Sequence, residues 1–229
     1  IITATYQYKY FSGLQDILLF SILVIISKYI HNYTISKEKI YLFLILLCCN
    51  LMLWIKSEGL VYYLILILII NFLFKEKLKT KILITTIFLI SYLFKKYIYI
   101  YYSFNEVAQE TYSLEYMYNL NFEIIFYKLK HITSWLIYYS LNNIIITLGA
   151  VFIMIGVAKK YRSNYENIIR LHLFLTIGFI YSAYIFRDHD VIVALRVTME
   201  RLLLSSSGFY LYYILIKLEN IFKKDNTPV

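Results

Sequence analysis

Three groups of ionisable residues stand inside or beside apolar runs, where charge is costly and marks a candidate functional site. The first is Phe11-Ser12-Gly13-Leu14-Gln15-Asp16, which sets Asp16 about one helical turn into an apolar stretch. A carboxylate there either complements the positive end of a helix dipole or points into a cavity that takes a polar ligand. The second is Trp54-Ile55-Lys56-Ser57-Glu58-Gly59, an opposite-charge pair beside an aromatic ring. Lys56 is a point charge suited to a phosphate, and Gly59 is expected to supply the unusual backbone angles of a tight reversal. The third is Arg187-Asp188-His189-Asp190, followed by Arg196, Glu200 and Arg201. Arginine at the edge of an apolar run fits phosphate capture, or it snorkels to an interface. The Asp-His-Asp run has no recognised metal spacing and reads more simply as a solvated loop.

Long apolar elements must hold these groups. The 229 residues are 61% hydrophobic, 19% aromatic and only 16% charged, with six Gly and one Pro. Soluble domains carry about 25% charged residues, and so short a chain could not bury this much apolar surface in a water-soluble core. The expected fold is therefore all-α, a polytopic transmembrane helical bundle forming one domain over residues 1–229. Seven apolar runs fall at 13–30, 40–55, 60–74, 82–100, 132–158, 169–186 and 202–216, against the 17–25 residues that a spanning helix needs. The second and third are short. Lys95 and Lys96 interrupt the fourth and are expected to snorkel. Phe122, Ile125, Phe126, Leu129 and Ile132 recur at helical spacing, either as an interfacial amphipathic helix or as a lead-in to the fifth run. Cys48 and Cys49 are adjacent and offer neither a good disulfide nor a metal pattern.

The net charge of +9 is spread as punctuation between the apolar runs, without the sustained basic face of a nucleic-acid binder. Connections 31–39, 75–81 and 159–168 and the tail from Lys217, with Lys28 and Arg170 at run edges, hold 14 Lys and Arg against 9 on the other side. Lys and Arg accumulate on the cytoplasmic side. The expected orientation thus has the N-terminus outside and the C-terminus in the cytoplasm, with all three ionisable groups on the outer side.

With Gly13-Leu14-Gln15-Asp16, Trp54-Ile55-Lys56-Ser57-Glu58-Gly59 and Met199-Glu200-Arg201-Leu202-Leu203-Leu204 in that order, the chain resembles the GT-C membrane glycosyltransferases, among them the protein mannosyltransferase-like and aminoarabinose transferase-like enzymes. The resemblance covers nearly the whole chain, on motifs that are each short. It implies transfer of a sugar from a polyprenyl-phosphate carrier to an acceptor at the outer face of a bacterial inner membrane. Asp16 would line the sugar or acceptor site, Lys56 and Arg201 would hold the donor phosphate, and Glu58 and Glu200 would orient them. The family's acidic base would lie upstream of Ile1, which opens the chain without Met, so the sequence reads as the C-terminal part of a longer module that is inactive alone. Ser205-Ser206-Ser207-Gly208 stands where many relatives carry a proline. The expected partners are the bilayer and the polyprenyl-phosphate-linked donor, with no nucleic acid. No cofactor is expected, and a divalent metal stays open. The competing readings are a transporter or lipid flippase, and a non-catalytic membrane subunit.

Overall fold

The computed structural model describes residues 10–102, 118–157, 163–187 and 191–225, with side chains from residue 14 to residue 222. Among the described residues the chain is all helical. Eight helices follow one another: α1 (Tyr10–Ser36), α2 (Lys39–Ile55), α3 (Ser57–Leu73), α4 (Leu78–Tyr101), α5 (Phe122–Asn142), α6 (Ile144–Val157), α7 (Asn164–Ile185) and α8 (Val191–Asp225). Three are long and apolar enough to cross a bilayer: Leu14–Ser36 of α1, α4 and α7. The pair α5 and α6 would add a fourth if its two parts form one span, and α2 and α3 are shorter apolar helices. Several apolar helices that could span a membrane fit an integral membrane protein. The outward side chains agree, since Phe72, Leu78, Ile100 and Phe174 are all strongly exposed, a costly arrangement in water and a natural one against lipid.

The chain divides into two compact units, whose boundary runs through α2, α5, α7 and α8. One comprises residues 1–48, 138–170 and 200–229, the other 49–137 and 171–199.

In the first unit α1 packs along α8 in the same direction. Gly208 makes the approach possible, because a Cβ there would lie 2.2 Å from the carbonyl oxygen of Phe20. Ser205, Ser206 and Ser207 are buried beside it. Ser206 and Ser207 return their hydroxyls to the carbonyls of Leu203 and Leu204, so small polar residues pack closely without leaving donors unmet. This is the role of the Ser-Ser-Ser-Gly run. Farther along, Ser27 donates to the carbonyl of Phe209 and shares a hydrogen bond with the Tyr165 hydroxyl, both at 2.7 Å. The start of α7 therefore meets the end of α1.

In the second unit α2, α3 and α4 fold back on one another. Lys56, extended at φ −159° and ψ 160°, makes the reversal between α2 and α3. Gly59 has a different role from the one expected. It takes no positive φ and sits inside the first turn of α3, where a Cβ would stand 1.9 Å from the carbonyl oxygen of Met52. Close backbone approach, not turn geometry, demands glycine there. Lys95 also departs from expectation. It does not snorkel, being 7% exposed, and its ammonium donates to the carbonyl of Leu53 at 2.8 Å. A carbonyl in the last turn of a helix has no intrahelical partner, and Lys95 supplies one.

One further expectation, on α5 and α6, is corrected. The run 132–158 is broken: α5 and α6 meet at Asn143 with a bend of 96°. The Asn143 side-chain oxygen accepts the N–H groups of Ile145 and Ile146, so it caps α6 and fixes the break. The stripe from Phe122 to Ile132 lies in α5, which continues without a break past Ile132. Phe122 and Phe126 are exposed, whereas Lys128 and Ile132 are buried. Lys128 reaches the carbonyls of Ile185 and Arg187 at the end of α7, where the helix dipole favours a cation.

Candidate functional site

The sequence-selected residues fall into two ion pairs, one in each unit. In the first unit Asp16 lies 1% exposed on α1, although it is ionisable and the run Ile17-Leu18-Leu19-Phe20 follows it directly. Arg201 on α8 donates its Nε–H to Asp16 Oδ2 at 2.8 Å. The Ser205 hydroxyl, one turn on from Arg201, lies 3.4 Å from the other carboxylate oxygen and also donates to the Arg201 carbonyl. The direction of packing puts these residues together: α1 and α8 run in parallel, so the first turns of α1 face the middle of α8. Arg201 keeps 20% of its side chain exposed, which leaves the pair at the rim of the unit.

The carboxylate that holds Arg201 is thus Asp16. Glu200 is exposed, as the turn of about 100° between consecutive helical residues requires. Ser205 belongs to this cluster and was not among the expected residues. Its spacing of four from Arg201 was the available signal.

In the second unit Lys56 and Glu58 pair at 3.0 Å, with side chains 17% and 24% exposed. Ser57 adds a hydroxyl donor to the other oxygen of Glu58. Glu58 stands in the first turn of α3, where a carboxylate complements the helix dipole. Lys56 precedes that turn as its N-cap without a side-chain cap bond. A cation beside a helix N-terminus is an arrangement that accepts phosphate readily. Gly59 lets α2 and α3 approach closely enough to hold it there.

Asp188, His189 and Asp190, for which a metal was weighed, lie outside the described residues. Arg187 and Arg196 frame them, Arg187 with a buried Nε and Arg196 exposed. Among the described residues no group of three or more His, Cys, Asp and Glu is placed to hold a metal ion.

A third charged cluster went unnoticed in the sequence. In the first unit Lys217 on α8 donates to Glu166 Oε1 on α7, and Arg170, one turn after Glu166, stands beside them. These residues read as cytoplasmic anchors because they lie among other basic residues. The discriminating signal was Ser163-Asn164-Tyr165-Glu166, a capping-box sequence that fixes Glu166 in the first turn of α7 and leaves its carboxylate facing the helix end. The Glu166 N–H donates to the Ser163 hydroxyl at 3.2 Å.

No protein-family model, curated protein or solved structure matches this chain.

Proposed function

We propose that this chain is a membrane glycosyltransferase of the GT-C kind, which moves a sugar from a polyprenyl-phosphate carrier to an acceptor at the outer face of a bacterial inner membrane. One observation carries the reading. A carboxylate and a guanidinium 185 positions apart in sequence meet by a 2.8 Å hydrogen bond, with the carboxylate almost fully enclosed. Placing two charges there costs solvation, and a phosphate-binding reaction is a reason to keep them.

In this reading the chain crosses the membrane seven times, with the N-terminus outside. The parallel packing of α1 and α8 fits first and seventh spans. Arg201 in the first unit is a phosphate-binding cation that Asp16 keeps oriented before the donor arrives, and Lys56 in the second unit is a further phosphate-binding cation that Glu58 orients. Cleavage of the sugar–phosphate bond leaves negative charge on the carrier. Fixed cations in a low-dielectric setting stabilise that charge as it develops, without reorganisation at the moment of reaction. Asp16, already hydrogen-bonded through both oxygens, lines the sugar side of the site. The base that activates the acceptor is assigned to none of the described residues.

The non-catalytic subunit is the second reading. It is favoured by the mutual satisfaction of each pair, Asp16 with Arg201 and Lys56 with Glu58, as in interhelical latches.

One experiment separates them. The full-length protein, in membranes supplied with radiolabelled polyprenyl-phosphate sugar, should move label out of the lipid-extractable pool. Arg201→Ala and Lys56→Ala should each slow this at least about tenfold, the loss expected for one charge-assisted phosphate contact, with membrane insertion unchanged. Unchanged transfer in both variants removes the phosphate site. Carrier movement across the bilayer without loss of its sugar points to a flippase instead.

A further inference from the structure

The end of the first unit remote from Asp16 holds a built cavity. From Asp16 to His31 α1 advances roughly 22 Å, and there a cavity of about 470 Å³ opens between the end of α1, the start of α7 and the late part of α8. His31, Thr34, Tyr165, Glu166, Tyr213 and Lys217 line it. This is separate from the transferase reading and does not depend on it.

We infer that this cavity binds a phosphate ester, whether the headgroup of an anionic phospholipid or a soluble phosphate compound. Four observations converge. First, the walls carry polar groups from three helices: imidazole, hydroxyl and ammonium. Second, charge is unbalanced towards positive. Lys217 is paired with Glu166, and Arg170, which is not itself on the wall, follows Glu166 by one turn of α7. Arg170 Nη2 and Glu166 Oε1 stand 3.4 and 3.7 Å from the point where a Gly156 side chain would begin. Two cations thus flank one carboxylate.

Third, Arg170 Nε and Nη2 are buried and meet no hydrogen-bond acceptor among the described residues. Buried guanidinium donors are costly unless an acceptor is supplied. His31 Nδ1, on the wall of the cavity, is in the same position. Fourth, α7 begins at the cavity, with Ser163, Asn164, Tyr165 and Glu166 on its wall. A helix N-terminus of 22 residues adds positive potential and donor N–H groups. A tetrahedral phosphate, with several acceptor oxygens pointing in different directions, suits this set better than a planar carboxylate does, because it can bridge Lys217 and the N-terminus of α7 without displacing Glu166. The tyrosine rings packed on His31, Tyr165 at 4.9 Å and Tyr212 at 5.8 Å, hold the imidazole edge in place.

The test uses the full-length protein, purified and delipidated in detergent. Native mass spectrometry compares phosphatidylglycerol with diacylglycerol, which share tails and differ in the phosphate. Thermal unfolding with added inorganic phosphate reports a soluble source. The expected result is a preference of about tenfold for the phosphate-bearing partner in one of the two arms, lost in Lys217→Met and in Arg170→Met and kept in Lys217→Arg. Should Lys217→Met fail to give a monodisperse protein, Thr34→Phe fills the cavity without touching the ion pair and must abolish the preference. Retention of phosphatidylglycerol assigns a lipid headgroup, and protection by inorganic phosphate alone assigns a soluble ligand. Equal binding of both lipids with no phosphate effect overturns the site, as does a preference that survives all three disruptive substitutions.

Discussion

Asp16 and Arg201 show what a charged residue in an apolar helix must do to persist. The carboxylate is almost fully enclosed, yet both its oxygens have partners, Arg201 and Ser205. Removing one partner strands the other, and stranding a charge costs more than the pair contributes. Asp16→Ala and Arg201→Met should therefore each lower the unfolding temperature in detergent. The double variant should be less destabilised than the sum of the two, with a coupling of about 1–3 kcal/mol. The partial exposure of Arg201 places the value in the lower half of that range. Additive losses across the cycle would mean that the two groups do not support each other. Lys95 and Lys128 solve the same problem differently, each giving its ammonium to carbonyls at a helix end. The sequence marks Asp16, Arg201 and Lys95 as anomalies and leaves Lys128 unmarked. It cannot separate an ammonium that reaches water from one that reaches a carbonyl, because hydropathy counts the charge and not its partner.

At the scale of helices, glycine separates tight crossings from open faces. Gly208 faces the Phe20 carbonyl so closely that a methyl group overlaps backbone, whereas Gly178 on α7 has nothing within 4 Å of its Cβ position. Gly208→Ala should destabilise the first unit by about 1–3 kcal/mol through overpacking. Gly178→Ala should be neutral or stabilise by up to about 1 kcal/mol, from helix propensity alone. Thermal unfolding of the two variants reads both, and equal effects would deny the close crossing of α1 and α8. Composition alone gave an accurate view of these elements as apolar helices, and the ranges 40–55 and 60–74 fall within α2 and α3 apart from Phe74, the C-cap of α3. The break at Asn143 is hidden by the mainly apolar runs that flank it on both sides. Asn142-Asn143 was the one local sign, and asparagine is a preferred N-cap. The candidate site was legible as residue types and order. Which carboxylate serves which cation was not, since that depends on α1 and α8 running in parallel, a fact of packing that no local pattern carries.

For the whole molecule the open question is how the apolar helices lie in the bilayer, and α3 is the place to ask it. Its 17 residues rise about 26 Å, short of a hydrocarbon core of about 30 Å. Either the bilayer thins around it, or α2 and α3 form a hairpin that enters and leaves by one face. The proposed orientation requires the first arrangement, because it puts the Lys56–Glu58 turn outside and the connection through Lys77 in the cytoplasm. Both ends offer exposed positions, Ser57 and Lys77. In a background with Cys48 and Cys49 replaced by alanine, Ser57→Cys should react with an impermeant maleimide in intact cells. Lys77→Cys should react only after permeabilisation. Protection of Ser57→Cys before and after permeabilisation would make α2 and α3 a re-entrant pair whose turn lies inside the membrane, and labelling of Lys77→Cys alone would invert the chain. Either outcome would take Lys56 away from an outward-facing donor site, because a phosphate carrier read at the outer face can meet only those cations that the helices deliver there.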